Sequence, residues 1–442
     1  MNDVNSTSPH HGQGAQLVGW TFEPNRRGTF GLLLSCLATI ALCTWVVIHA
    51  RIDRRERFRI AHKLALCFKT FLAPEFIAVE AAQEWTQARR LVKDAHKVTT
   101  GELRIVHAYY IGMFGIRYRT SKGTKVLWPN QILWLLNHGL FDFKDRAEWG
   151  LEESVIKDKS NADSAAKLFA LAQSVWFVMQ CILRAVDGLP ISPLESMTLG
   201  YIPLFFVAYA YWWVKPKDIE LPSEIELPPM SSTQREELES LAVSNAFDDE
   251  GKESQTSLWT VWYLTPRVFE KEQSDRDLER RAYEHASALE SMRQHMDSCE
   301  WTNCQRCRHH NWNPPQQRAE VVLSHWDPEL YCSWMWPIIC LVGISFPALH
   351  LVSWDTDFPS KTELWLWRGA GIASIATMLV FMHFEKITVR WQDPWLAVKL
   401  ISPLIYLISR VLMLALAAAA FRASDPAIYQ TYNASDKLLA LV

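Results

Sequence analysis

Gly28 to Ala50 runs without a single Asp, Glu, Lys or Arg. A bilayer core of about 30 Å takes roughly 20 helical residues at about 1.5 Å each. Inside it every backbone N–H and C=O must be paired within the segment, so a run of this length and purity reads as a membrane-spanning helix. Ser196 to Val214 and Leu330 to Trp354 are equally free of charge. Leu168 to Leu183 is shorter, but Lys167 and Arg184 at its ends can snorkel. Gly369 to Phe384 is short in the same way, and Leu400 to Phe421 is long enough but holds Arg410 near its middle. These runs predict an all-α fold: a polytopic transmembrane helical bundle of about six spans, with interfacial helices and a long, partly disordered cytosolic loop.

Charge sets the orientation. Arg51, Arg54, Arg55, Arg57 and Arg59 follow the first run directly, and a basic cluster beside a span stays cytosolic. The expected arrangement is an extracytosolic tail over 1–28, a first span over 29–50 and a cytosolic or interfacial helical region over 51–167. A transmembrane hairpin over 168–214 follows, its outer loop Asp187 to Leu194 lacking Lys and Arg. A cytosolic loop over 215–333, a three-helix region over 334–422 and an extracytosolic tail over 423–442 complete the chain. The acceptor patterns Asn5-Ser-Thr7 and Asn433-Ala-Ser435 both fall on the outer side, which predicts a glycoprotein.

Composition supports a membrane setting and narrows the partners. Many of the 21 Trp flank apolar runs, where interfacial aromatics sit. The net charge of -3 provides no global basic field, so no nucleic acid is expected. Among the nine Cys, Cys36, Cys43, Cys181 and Cys340 lie in apolar runs and read as small buried hydrophobes. The lipid bilayer is the one partner the composition names, and endomembrane and plasma membrane fit equally.

Three weaker apolar segments lie between the first two clear runs. In 64–82, Pro74 suits the first position of a helix with Glu75 in its first turn, so 74–97 is expected to be an amphipathic cytosolic-face helix. Segments 103–116 and 126–143 are left as interfacial, re-entrant or buried against the bundle; if two segments span, the count rises to eight. Residues 218–257 are rich in Pro, Ser and acids and read as disordered linker. Residues 266–296 carry apolar side chains at helical steps and are expected to form an amphipathic surface helix or a short coiled coil, either solvated or binding a cytosolic protein partner. Cys299, Cys304, Cys307 and His309 have the donor types for tetrahedral zinc, against ordinary loop thiols at an irregular spacing. No cofactor follows from the sequence.

Several segments together resemble a large family of fungal polytopic membrane proteins without an established activity. They are Gly19 to Thr29, Ser35-Cys36, Leu42 to Trp45, Leu72 to Glu75, Ile156 to Asp163 and Gln173 with Trp176, Phe177 and Gln180. Gly188 to Ser192 with Leu194-Glu195, Trp212 to Pro216, Phe358 to Ser360 with Glu363, Leu366 to Arg368 and Tyr406 to Arg410 complete the set. The resemblance implies a multi-pass architecture in a fungal membrane and transfers no catalytic residue.

Ionisable groups at bilayer depth are costly and mark functional or clamping sites. Arg410 sits mid-span, and its candidate partners are Glu75 or Glu195. Trp176, Gln180 and Arg184 recur every four residues, with Gln173 nearby; that stripe either lines a substrate path or binds helices together. Arg184 and Glu195 flank one short loop, which suggests a hairpin salt bridge. Ser160 to Asp163 reads as a capping box for the second span. His138 and Asp142, four apart, would share a helical face as an acid–base pair. With Glu75 and Arg410 they are the weak catalytic candidates. His350 and His383 lie at depths too different to share a metal. Three functions remain: a membrane scaffold, sensor or accessory protein; a membrane-embedded enzyme acting on a lipid or isoprenoid-like substrate; and a small-solute transporter.

Overall fold

The computed structural model describes residues 17–22, 27–52, 56–99, 103–160, 164–243, 247–249, 321–325, 328–384, 386–389 and 394–431. Asn5, Asn433, Asp163, Cys299, Cys304, Cys307, His309 and segment 266–296 lie outside the described residues.

The chain opens with α1 (Thr29–Trp45), α2 (Glu56–Leu72) and α3 (Pro74–Ala95). Then come α4 (Ile105–Gly112), β1 (Ile116–Thr120), β2 (Gly123–Val126), α5 (Pro129–Asn137) and α6 (Glu153–Lys159). Two long antiparallel helices follow, α7 (Ser164–Val186) and α8 (Pro193–Tyr211), then β3 (Ser223–Ile225) and α9 (Ser232–Ser240). After β4 (Val321–His325) come α10 (Met335–Leu349), α11 (Lys361–His383), β5 (Lys386–Val389) and α12 (Leu396–Ala419).

Among the described residues, four helices are long and apolar enough to cross a membrane: Ala166–Val186, Met335–Ser353, Lys361–His383 and Leu396–Arg422. Helix α1 is apolar but spans only 17 residues, about 25 Å. Helix α8 lies at the centre, packed by α1, α3, α7, α10 and α12. It meets protein on most sides and buries Met197, Tyr201, Leu204 and Phe205 among others. Gly200 brings it close to α10: a Cβ there would sit 2.7 Å from the Phe346 ring.

The long helices alternate in direction, and contacts at their ends show it. At one end Val18 pairs with Ser424, Thr29 Oγ1 donates to the Tyr429 hydroxyl (3.1 Å), and Arg27 meets Glu195. At the same end Ser353, just past α10, donates to the Ile191 and Ser192 carbonyls (3.2 Å each), and Arg422 pairs with Glu363. Both described chain ends therefore lie together. At the opposite end Lys217 Nζ donates to the Val46 carbonyl beyond α1, and Tyr331 donates to the His383 carbonyl.

That opposite end carries a folded unit rather than a purely helical region and a loose linker. Strand β1 pairs antiparallel with β2 and parallel with β3, giving the order β2-β1-β3. The all-α expectation is corrected to a mostly helical fold with small sheets, since β4 and β5 also pair. The disordered-linker reading fails over 218–243 and 247–249. Ile219, Ile225, Leu238 and Phe247 insert into the core formed by 103–151. Gln131 Nε2 donates to the Leu238 carbonyl, and Asp248 accepts from the Val126 N–H. A polar, Pro-rich segment cannot bury a core of its own, but a few apolar anchors can complete another one. Gly150 (φ +65°) accommodates this docking: a Cβ would lie 2.2 Å from Ser223 Oγ.

The three weaker segments form helices α2 to α5 and the strands β1 and β2. Helix α3 starts at Pro74 as expected and buries Glu75 and Gln83 against the bundle. Helices α4 and α5 have 8 and 9 residues, too short to cross a bilayer, and pack in the core beneath α3.

Candidate functional site

The candidate site forms where α3, α8, α10 and α12 meet around Arg410, which is fully buried. Its Nε donates to the Leu72 carbonyl at the C-terminus of α2 (3.1 Å). The last carbonyls of a helix lack intrahelical partners and carry the negative end of its dipole, so a guanidinium suits them. Nη1 lies 3.1 Å from His350 Nε2, and the guanidinium stacks over Phe346 at 4.0 Å.

This geometry fixes the histidine's protonation. His350 Nδ1 is 2.6 Å from the Phe346 carbonyl, which can only accept. Arginine can only donate. Nδ1 therefore carries the proton, Nε2 accepts from Arg410, and the ring is neutral.

Glu75 completes the cluster without a direct ion pair to Arg410. Its Oε2 accepts from the Tyr406 hydroxyl (2.6 Å), one turn before Arg410 on α12. Tyr201 of α8 stands beside the guanidinium and donates to the Phe71 carbonyl (2.5 Å). Glu75 Oε1 and Arg410 Nη2 are buried without hydrogen-bond partners.

Of the two partners expected for Arg410, Glu75 is brought near and Glu195 is not. Glu195 sits at N3 of α8, where its Oε2 accepts from the Ser192 N–H (3.0 Å) and hydroxyl (2.9 Å). Its Oε1 pairs with Arg27. The expected Arg184–Glu195 hairpin bridge is corrected accordingly. Arg184 donates instead to four carbonyls: Pro190 (3.0 Å), Ala427 (3.2 Å), Ile428 (3.0 Å) and Gln430 (2.9 Å). Gln173 Nε2 donates to Thr39 Oγ1 of α1 (3.1 Å), Trp176 points outward, and Gln180 is half-buried.

His138 and Asp142 do not share a helical face. Helix α5 ends at Asn137, and Gly139 (φ +65°) turns the chain away. His138 is exposed, stacked on Trp134 with Nδ1 on the Trp134 carbonyl, and Asp142 caps a short 3-10 turn through the Lys144 N–H. Ser160 belongs to the end of α6: its hydroxyl accepts from the Lys217 N–H (2.9 Å). His383 is exposed, far along α11 from His350.

A second polar cluster, missed in the sequence, lines a cavity of about 20 Å³ at the opposite end of the bundle, formed by His49, Arg51, His62, Glu80, Glu84 and Lys215 among others. That is room for one water. Lys215 Nζ bonds Glu84 (2.5 Å) and the His49 carbonyl (3.3 Å), and Lys69 pairs with Glu80. Burial, with repulsion from Arg51 and Lys215, pushes the His62 imidazole down to about 3. Burial, then Lys215, holds His49 well below the usual range. Both therefore fold neutral. The unfolded chain takes up protons below about 6.5 and the folded chain does not, so stability is complete above that pH and is lost as pH falls toward 3. His62→Gln is expected to flatten the acid limb of a stability-versus-pH curve by about 1.4 kcal/mol per pH unit in that window. An unchanged slope would show that His62 is charged in the fold.

Fold and site together define a mostly helical protein, with four helices of membrane-crossing length among the described residues and several buried cations resting on main-chain carbonyls. The chain belongs to a family of unknown function (DUF8562), whose model matches residues 5–292. The matched stretch takes in α1 to α9 and ends ahead of α10 to α12. No curated protein and no solved structure matches the chain.

Proposed function

We propose that this chain is a multi-pass membrane scaffold, sensor or accessory protein of a fungal endomembrane or plasma membrane. It crosses about six times, through α1, α7, α8, α10, α11 and α12, with both termini outside. The unit built from 46–160 and 212–249 faces the cytosol, and residues 266–296 recruit a protein partner. One observation carries the reading. Four of the buried cations are engaged by helix-end and loop carbonyls: Arg410 by Leu72, Arg184 by 427–430, Lys217 by Val46 and Lys215 by His49, the last also paired with Glu84. Such clamps hold a bundle rigid and leave those charges little freedom to act on a substrate.

A lipid- or isoprenoid-modifying enzyme is the second reading. The unpartnered Glu75 Oε1 and Arg410 Nη2 favour it, because together they would hold a polar substrate group. Small-solute transport along α7 has less support, since Gln173 and Arg184 are both engaged with other helices or loops.

Glu75→Gln separates the first two. It keeps an acceptor for Tyr406 and removes the acid. In cells lacking the native chain, the scaffold reading expects the variant to restore the wild-type lipid and metabolite profile at normal abundance. Accumulation of a precursor with abundant protein would establish the enzyme reading instead. The topology has its own check. Asn5→Gln and Asn433→Gln are each expected to remove one glycan-sized mobility shift, and modification at only one end would overturn the shared outer side.

A further inference from the structure

Lys159, the last residue of α6, lies 2.8 Å from the Ser223 hydroxyl of β3. Among the described residues that hydroxyl is its one bonding partner, and no carboxylate is within ion-pair reach. Other lysines of the same unit and the adjoining bundle end are held differently. Lys63 pairs with Asp218, Lys125 with Glu239, Lys157 with Glu153 and Lys215 with Glu84. A hydroxyl does not neutralise an ammonium, and burial pushes the Lys159 amine below the usual lysine range.

Tyr110, fully buried on α4, completes the row. Its hydroxyl lies 2.9 Å from Ser223 Oγ and 3.2 Å from the Ser223 nitrogen. The phenol oxygen accepts from the Ser223 N–H, so its own hydrogen is directed at Ser223 Oγ. Burial pushes the phenol up, so that hydrogen stays in place. Ser223 has then one hydrogen to donate, and Lys159 Nζ is where it goes. An ammonium only donates, whereas a neutral amine offers a lone pair. With the neutral amine every hydrogen in the row has an acceptor. The row also ends near solvent. Strand β3 lies at the sheet edge, Lys159 is partly exposed, and Leu221, two residues before Ser223, is 63% exposed.

We propose that Ser223 is a nucleophile that accepts the acyl group of a small carboxylic ester, with Lys159 as its general base and Tyr110 as the positioning residue. Ser223 Oγ attacks the carbonyl carbon and its hydrogen passes to Lys159 Nζ. The bond from that carbon to the leaving oxygen breaks, and the alkoxide takes the proton from Nζ and departs as an alcohol. Water, deprotonated in turn by Lys159, then attacks the acyl-serine. The acyl group leaves as a carboxylic acid and Ser223 regains its hydrogen from Nζ. This activity is additional to the scaffold reading and does not depend on it.

The test uses the purified full chain with two probes, a fluorophosphonate that marks an activated serine covalently and p-nitrophenyl acetate. Intact mass and peptide mapping are expected to show one phosphonyl adduct per chain, on Ser223. Its rate should rise with pH to a plateau as Lys159 loses its proton, and nitrophenolate release should follow the same curve. Ser223→Ala should abolish both signals. Lys159→Arg keeps a cation beside the hydroxyl but no base, and should slow labelling by about a hundredfold or more. Tyr110→Phe should slow it less, and Lys157→Arg, two residues away, should leave it unchanged. Thermal midpoints of the variants separate lost chemistry from lost fold. The absence of any adduct, an adduct on another serine, or a Lys159→Arg rate equal to wild type would overturn the inference. So would a wild-type labelling rate that is flat with pH, a result that needs no variant.

Discussion

Arg410→Met is expected to destabilise the bundle by about 3–5 kcal/mol, the scale of removing one partner from a buried charged network. Methionine fills much of the volume over Phe346 but leaves the Leu72 carbonyl and His350 Nε2 unpartnered at the centre of four helices. Buried polar groups without partners each cost about 1–3 kcal/mol. Arg410→Lys keeps the charge but not the fork that reaches both acceptors, so it should recover only part of the loss. Thermal unfolding of the detergent-solubilised protein, with expression level as a second readout, measures this. A Met variant as stable as wild type would mean that the guanidinium is held at a cost for some other use, which would favour the enzyme reading.

Arg184→Gln is expected to release the C-terminal segment from the end of α7. One guanidinium bonds four carbonyls, three of them in 427–430. Hydrogen bonds to a charged donor are worth about 1.5–3 kcal/mol each. Even with half of that recovered by solvent at the bundle end, several kcal/mol are lost. Protease cutting near residues 424–431 should rise sharply in the variant, while the Val18–Ser424 pairing weakens with it. Unchanged cutting would show that Tyr429 and its bond to Thr29 hold the segment alone.

The long helices were legible because their signal is local: a run of apolar residues, a proline at the first turn, a charge at the end. Pro74 and Glu75 opened α3 where the spacing placed them. Arg410 declared itself by being charged in an apolar run. The cluster around it did not. Tyr406 and Tyr201 look like ordinary aromatics of a span until α8 and α12 are brought together. His350 gained its role only from an arginine 60 residues away. The sheet was hidden for a different reason. Its strands have 5, 4 and 3 residues, and β3 pairs across a gap of about a hundred positions, too short and too distant to leave a period in the sequence. The linker was misread because composition reports whether a segment can fold by itself, not whether four of its side chains complete a neighbour.

The Arg184 clamp also imposes an order on biogenesis. Its farthest acceptor lies 246 residues downstream. While the ribosome works through that interval, Arg184 has the nearby Pro190 carbonyl but not its three acceptors in 427–430. On the membrane placement proposed above, a charge waiting in or beside the bilayer would be costly there. Only when the last helix is in place and residues 427–430 fold back does the charge disappear from view. A chain truncated before residue 427 would leave Arg184 without three of its four carbonyl acceptors.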